Sequence, residues 1–107
     1  MKEGSPTEEE LEDAREALKD SDAYLEGHFY LPSTGKHYDE FFQLARALQH
    51  SRYARILCVG LARILRRSGI LHRIEKGKRF TLVAPADAGI PVAFWVGENL
   101  DADRIVW

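Results

Sequence analysis

The sequence predicts an α/β fold: a Rossmann-like parallel sheet that is begun but not completed, preceded by an N-terminal helix and a β-hairpin. Three observations predict it. The stretch "TLVAPADAGIPVAFWVGENLDADRIVW", residues 81–107, reads as strand, tight loop, helix and strand. A helix of about ten residues between two strands implies parallel pairing through a right-handed crossover. A parallel sheet needs both faces covered and more than two strands. Only residues 81–84 and 104–107 are convincing parallel strands, and the second reaches the last residue, Trp107. The expectation is therefore the first part of an α/β domain, its remaining strands supplied by another chain, another copy or a further segment.

The N-terminal helix comes from "SPTEEELEDAREALKDS". Ser5 is the expected N-cap, with Pro6 at the first helical position and Glu8 completing a capping box. Glu8, Glu9 and Glu10 suit the positive end of the helix dipole. Leu11, Ala14, Ala17 and Leu18 make a narrow apolar stripe. In "GHFYLPSTGKHYDEFFQLA", a strand at Phe29 and Leu31 is expected to return over Glu40–Gln43. Its turn holds Pro32, Ser33, Thr34 and Gly35. Adjacent Phe41 and Phe42 would point to opposite faces of that strand, leaving one poorly buried.

"SRYARILCVGLARILRRSG" is the strongest helix, with Tyr53, Ile56, Leu57, Leu61, Ile64 and Leu65 at helical spacing and Gly69 as its C-cap. Cys58 reads as a small packing residue. "ILHRIEKGKRF" is a connector, with a short hairpin around Gly77 as the expectation. "GIPVAFWVGENL" is a helix with Pro91 in its first turn. The domain plan is one incomplete unit: residues 1–24 the helix, 25–45 the hairpin or hood, 46–107 the start of the α/β core.

Composition bounds the function. With 107 residues, 45% hydrophobic and 30% charged, the chain can be one globular domain with a modest core. No apolar run approaches the roughly 20 residues that span a membrane. The acidic start lacks the apolar region of a secretory signal, and a lone cysteine fits a reducing cytoplasm. Net charge is −2, unevenly spread. Residues 1–26 hold ten acids and three bases, and residues 52–79 hold nine bases and one acid. Such a basic stretch marks either a polyanion-binding face or the solvated side of a helix and turn.

Chemistry is expected at the carboxyl ends of the parallel strands. There the loop Pro85-Ala86-Asp87-Ala88-Gly89 leads into a helix N-terminus, whose free amides and dipole can hold an anion. The same loop also reads as an ordinary turn capped by Asp87. His28, His37, His50 and His72 show no metal-ligand spacing, and no nucleophile elbow exists. No catalytic or metal-ligating residue is assigned.

Two segments carry a resemblance. "GHFYLPSTGKHYDEFFQLARALQ" is similar to the N-terminal signature of orotate phosphoribosyltransferases, of the type I phosphoribosyltransferase family. "LVAPADAGIPVA" looks like that family's pyrophosphate loop, and the two occur in the family's order. The resemblance covers roughly Leu25 to Trp107 and implies a partial phosphoribosyltransferase-like fold. It also implies transfer of phosphoribosyl from phosphoribosyl pyrophosphate to orotate, with Mg2+. Lys36, His37, Phe41 and Phe42 would meet the substrate, and Ala86, Asp87, Ala88 and Gly89 the pyrophosphate. Tyr38 departs from a common serine, and Asp87 brings a negative charge to a polyanion loop. The family's catalytic loop and paired-aspartate segment come after the position of Trp107, so the chain alone is expected to be inactive. A cytoplasmic homodimer, or pairing with a chain that supplies the missing half, follows from the resemblance. The alternative is a non-catalytic phosphate, nucleic-acid or assembly module that reuses the fold.

Overall fold

The computed structural model describes residues 5–74, 78–85, 87 and 89–107. Helix α1 spans Glu8–Asp20. Strands β1, Tyr24–Leu31, and β2, Lys36–Phe42, form an antiparallel ribbon. A short helix α2, Leu44–Leu48, leads into the long helix α3, Ser51–Arg67. A 3-10 turn at Ile70–Arg73 follows. Strand β3, Thr81–Val83, helix α4, Gly89–Leu100, and strand β4, Arg104–Val106, complete the order.

The parallel pairing expected from the sequence is present. β3 and β4 are joined through α4, with Thr81 opposite Arg104, Leu82 opposite Ile105 and Val83 opposite Val106. The Ala84 amide extends the ladder to the Val106 carbonyl at 2.8 Å. Among the described residues this sheet has two strands and both of its borders are open.

The start of α1 differs from expectation. Its N-cap is Thr7, not Ser5, and the box partner is Glu10, not Glu8. Thr7 Oγ1 accepts from the Glu10 amide at 3.1 Å, and Glu10 Oε1 accepts from the Thr7 amide at 2.9 Å. The sequence offers the same Ser/Thr-x-x-Glu spacing twice. The later one wins because Glu10 also receives Arg67, which ties the end of α3 to this cap. Helices α1 and α4 stop by one device. Asp22 at φ 59 and Asp101 at φ 57 take the left-handed conformation usually given to glycine. The amides that follow them reach back to Leu18 and Gly97, each at 2.9 Å.

The core is made of small side chains. α3 buries Ala54, Cys58 and Ala62, and α4 buries Ala93, Val96 and Leu100. Ile56 and Leu61, expected in the apolar stripe of α3, are 37% and 40% exposed. Residues with little bulk at every fourth position let the helices approach closely, and the larger side chains are displaced to the flanks of the contact. At the end of α3, Ser68 is the C-cap, and Gly69 stands one residue beyond it in the left-handed conformation. The connector starts as the 3-10 turn. The hairpin expected around Gly77 lies outside the described residues.

Candidate functional site

The β1–β2 ribbon is longer than the sequence suggested, because most of its side chains are exposed and no apolar alternation marks it. Its register runs from Tyr24 opposite Phe42 to Leu31 opposite Lys36, with a bulge between Glu26 and Phe29. The turn is tied by Thr34 and Gly35 amides to the Leu31 carbonyl, at 3.2 and 2.9 Å. Gly35, at φ 68, needs the freedom of glycine there.

Phe41 and Phe42 part as expected. Phe41 is half-buried, its ring 5.6 Å from that of Phe29, whereas Phe42 is 57% exposed. A cavity of about 660 Å³ opens beside them, lined by Phe29, Tyr38, Phe41, Phe42 and Arg46 among others. Tyr38 faces the turn through its hydroxyl, 3.4 Å from Thr34 Oγ1. Lys36 and His37 begin β2 on the same ribbon but are not among the residues lining this cavity. His37 instead lies against His28 and Tyr30, ring centroids 4.8 and 5.0 Å away.

Arg46 is the residue that the sequence reading missed. Its guanidinium stands 6.0 Å from the Phe41 ring centroid, in cation–π range. It donates to Gln43 Oε1 at 3.0 Å and to the Asp22 carbonyl at 3.2 Å. A cation four positions after Phe42, in a helix that starts where the strand stops, was the available signal.

At the other end of the ribbon, Tyr24 donates to Glu26 Oε1 at 3.2 Å. Loss of water around the phenol pushes Tyr24 up to about 12, helped by the carboxylates of Glu26 and Glu40. The Glu26–Glu40 cross-strand pair is a like-charge pair, which costs stability unless a donor such as this phenol shares it.

The β3–α4 turn is closed by its own backbone. The Gly89 amide donates to the Pro85 carbonyl at 3.1 Å, and the Ile90 amide to the Asp87 carbonyl at 3.3 Å. A pyrophosphate contact from the Gly89 amide therefore requires exchange of that bond. Asp87 is exposed, and the expected contacts of Ala86 and Ala88 lie outside the described residues. Gly89 has a packing reason for being glycine: a Cβ there would stand 2.7 Å from Pro85 Cδ and 2.8 Å from Cγ.

Helix α2 brings the two regions together. Leu44, two residues beyond Phe42, lines an apolar groove of about 400 Å³ with Val83, Pro85 and Gly89. Leu61 and Leu65 of α3 form part of the same wall. The hairpin's exit and the β3–α4 turn thus share one side of the molecule.

Known proteins resemble this chain. The chain is 38% identical over 88 residues to orotate phosphoribosyltransferase of Chlorobaculum parvum, covering 82% of this chain and 40% of the relative. It is 40% identical over 78 residues to that of Desulforamulus reducens, covering 73% and 36%. For Heliobacterium modesticaldum the figures are 39% over 88 residues, 82% and 42%. The chain is related to the N-terminal part of the orotate phosphoribosyltransferases. It spans about two fifths of the length of these curated relatives, for instance 40% of the Chlorobaculum protein. Among solved structures, UMP synthase of Leishmania donovani superposes with a TM-score of 0.62 at 24% identity, over 90% of this chain and 19% of that one. That likeness bears on the fold, which is a partial phosphoribosyltransferase-like α/β unit. No protein-family model matches the chain.

Against the orotate phosphoribosyltransferase pattern, the basic segment and Cys58 find structural explanations. Arg67 pairs with Glu10 and Arg79 with Asp103, at 2.6 and 3.2 Å. Arg66 donates to the Asn99 carbonyl, and Arg55 lies over Trp95. Burial pushes the Cys58 thiol up, away from a reactive thiolate. Among the described residues no helix is long and apolar enough to cross a membrane.

Proposed function

We propose that this chain is the base-receiving and pyrophosphate-facing part of an orotate phosphoribosyltransferase, acting in pyrimidine nucleotide synthesis. The observation that carries the reading is the 38% identity over 88 residues, a stretch long enough to take in the whole β1–β2 ribbon and the start of β3. The physical arrangement supports it. Phe42 offers an open ring face on which a planar base can stack, while Phe41 is fixed by Phe29 and Arg46. Lys36 and His37, exposed at the head of β2, supply a cation and an imidazole toward carboxylate or phosphate groups. Residues 86–89 face the pyrophosphate in this reading.

The reaction breaks the bond from the anomeric carbon to pyrophosphate and forms a bond from that carbon to a ring nitrogen of orotate, whose N–H proton passes to the departing pyrophosphate or to water. What these residues contribute is position: they hold the base and one end of the leaving group. Stabilising the charge on the departing pyrophosphate needs donors beyond those described here. Mg2+ belongs to the reading as a companion of the pyrophosphate. Among the described residues no three His, Cys, Asp or Glu side chains converge into a metal cage. A cytoplasmic homodimer, or a complex with a chain carrying the remaining strands, completes the reading.

The test is direct. Orotate added to the purified chain is expected to bind weakly, with perturbation of Phe42 resonances, and orotidine monophosphate is not expected to form. Turnover by the chain alone would overturn the statement that it is insufficient. Orotate binding unaltered in a Phe42→Ala variant would overturn the assignment of the base site.

A further inference from the structure

The two closest histidines in the fold are nine residues apart in sequence. His28 Nε2 and His37 Nδ1 lie 2.8 Å from each other on the exposed ribbon. The bulge in β1 is the cause. Glu26 pairs with Glu40 and Phe29 with Tyr38, so Gly27 and His28 together stand opposite the single residue Asp39. A bulge re-aims the side chain it carries, and here it turns His28 onto His37. Tyr30, paired directly with His37, packs against that imidazole at 5.0 Å between centroids. Both histidines are exposed, so water and ions reach them.

We propose that His28 and His37 form a two-imidazole site for a divalent transition-metal ion of tetragonal preference, Cu2+ or Ni2+. Imidazole nitrogen is a favoured donor for both ions. Two nitrogens about 2.0 Å from one ion and at right angles lie about 2.8 Å apart, the spacing of adjacent corners in a tetragonal site. The observed separation is the same. In the free chain one ring N–H donates to the other ring's lone pair. On binding, that hydrogen moves to the far nitrogen of its own ring, both lone pairs turn to the ion, and no net proton is lost. Water fills the remaining positions, since among the described residues no third His, Cys, Asp or Glu joins the pair. The site does not depend on the proposed transferase reading, because it uses only the hairpin's register.

The experiment is titration of the full 107-residue chain with CuCl2, followed by electron paramagnetic resonance. The expected result is saturation at one equivalent, with hyperfine structure from two imidazole nitrogens. His28→Ala and His37→Ala should each leave one nitrogen and weaken binding roughly a hundredfold, the cost of losing a chelate partner held in place. His50→Ala and His72→Ala should leave the spectrum unchanged. His28→Asn keeps a hydrogen-bonding side chain at the bulge, so loss of the ion in that variant, with an unaltered circular dichroism spectrum, reports the ligand and not the fold. A spectrum that His28→Ala and His37→Ala leave untouched, as from the terminal amine alone, would sink the proposal. So would the absence of any site saturating at one equivalent.

Discussion

Arg67 grips Glu10 with both ends of its guanidinium: Nη1 meets Oε2 at 3.0 Å and Nη2 meets Oε1 at 2.6 Å. The Glu10 side chain is 14% exposed and that of Arg67 38%. One carboxylate thus closes the N-terminal cap of α1 and fastens the C-terminal turn of α3 onto it. Bidentate arginine–carboxylate pairs are the stronger kind, and this one joins elements 57 residues apart.

The first prediction is an acid-side loss of stability. Arg67, chiefly by hydrogen bonding, and the Thr7 amide hold Glu10 down at about 2, from an ordinary 4.5. The folded chain therefore binds fewer protons than the unfolded one between those values, and its stability rises with pH across them. The contribution is fully present above about 4.5 and lost as pH falls toward about 2. Urea midpoints measured across this window should fall in the parent and fall less in Glu10→Gln. Equal slopes in the two would show that the pair does not set the profile. Thr7→Ala, which removes the cap, should cost about 1 kcal/mol at neutral pH.

Two helical glycines should respond in opposite directions. A Cβ at Gly60, inside α3, meets nothing within 4 Å. Gly60→Ala should raise stability by about 0.5–1 kcal/mol, from helix propensity and a less flexible unfolded chain. A Cβ at Gly97, inside α4, would stand 2.7 Å from Ile105 Cδ1 and 3.0 Å from Cγ1. Gly97→Val should lower stability by about 1–3 kcal/mol through overpacking. A Gly97→Val melt at or above that of the parent would contradict the packing of α4 on β4, and a Gly60→Ala melt below it would contradict the open space beside α3.

At the β3–α4 turn, Gly89→Ala should cost about 1–3 kcal/mol, because the Pro85 ring cannot retreat as a flexible side chain can. Removing the ring restores room, so Pro85→Ala combined with Gly89→Ala should recover most of the loss. A double-mutant cycle reads the coupling. Additive costs would show that the glycine is kept for a reason other than contact with Pro85.

Parts of this fold were legible because local chemistry and tertiary structure agree. The helix Gly89–Leu100 and the parallel pairing of its flanking strands follow from an apolar pattern interrupted by proline, glycine and aspartate. The hairpin was legible in its turn and in the inner part of each strand, but not in its length: its exposed strands carry charges and histidines at positions where a buried strand would alternate. Cys58 was legible as a packing residue, but the rest of the buried stripe of α3 was not, because Ala54 and Ala62 are weaker hydrophobic signals than Ile56 and Leu61; Cys58 and Ala62 are what Val96 and Leu100 of α4 meet. The His28–His37 contact was invisible to spacing rules, since cross-strand neighbours depend on register and a bulge shifts register. For Arg46 the spacing from Phe42 was the only sequence signal, and the contact with Phe41 and the Asp22 carbonyl depends on how a one-turn helix is aimed, which that spacing does not set.

The last prediction separates stability from binding within one dipeptide. Phe41 is half-buried against Phe29, and its ring carries Arg46. Phe41→Ala should destabilise the chain by at least about 0.5–1.5 kcal/mol, the worth of an aromatic pair. Phe42 is 57% exposed and sits opposite Tyr24 at the end of the ladder, so Phe42→Ala should change stability by no more than about 0.5 kcal/mol. Orotate affinity should respond in the reverse proportion: lowered more by Phe42→Ala than by a Phe41→Leu substitution that keeps the packing. Chemical denaturation and ligand titration on the same three proteins decide it. If Phe42→Ala unfolds the chain, Phe42 is a packing residue after all; if it is stable and binds orotate as the parent does, the open ring face serves something other than the base.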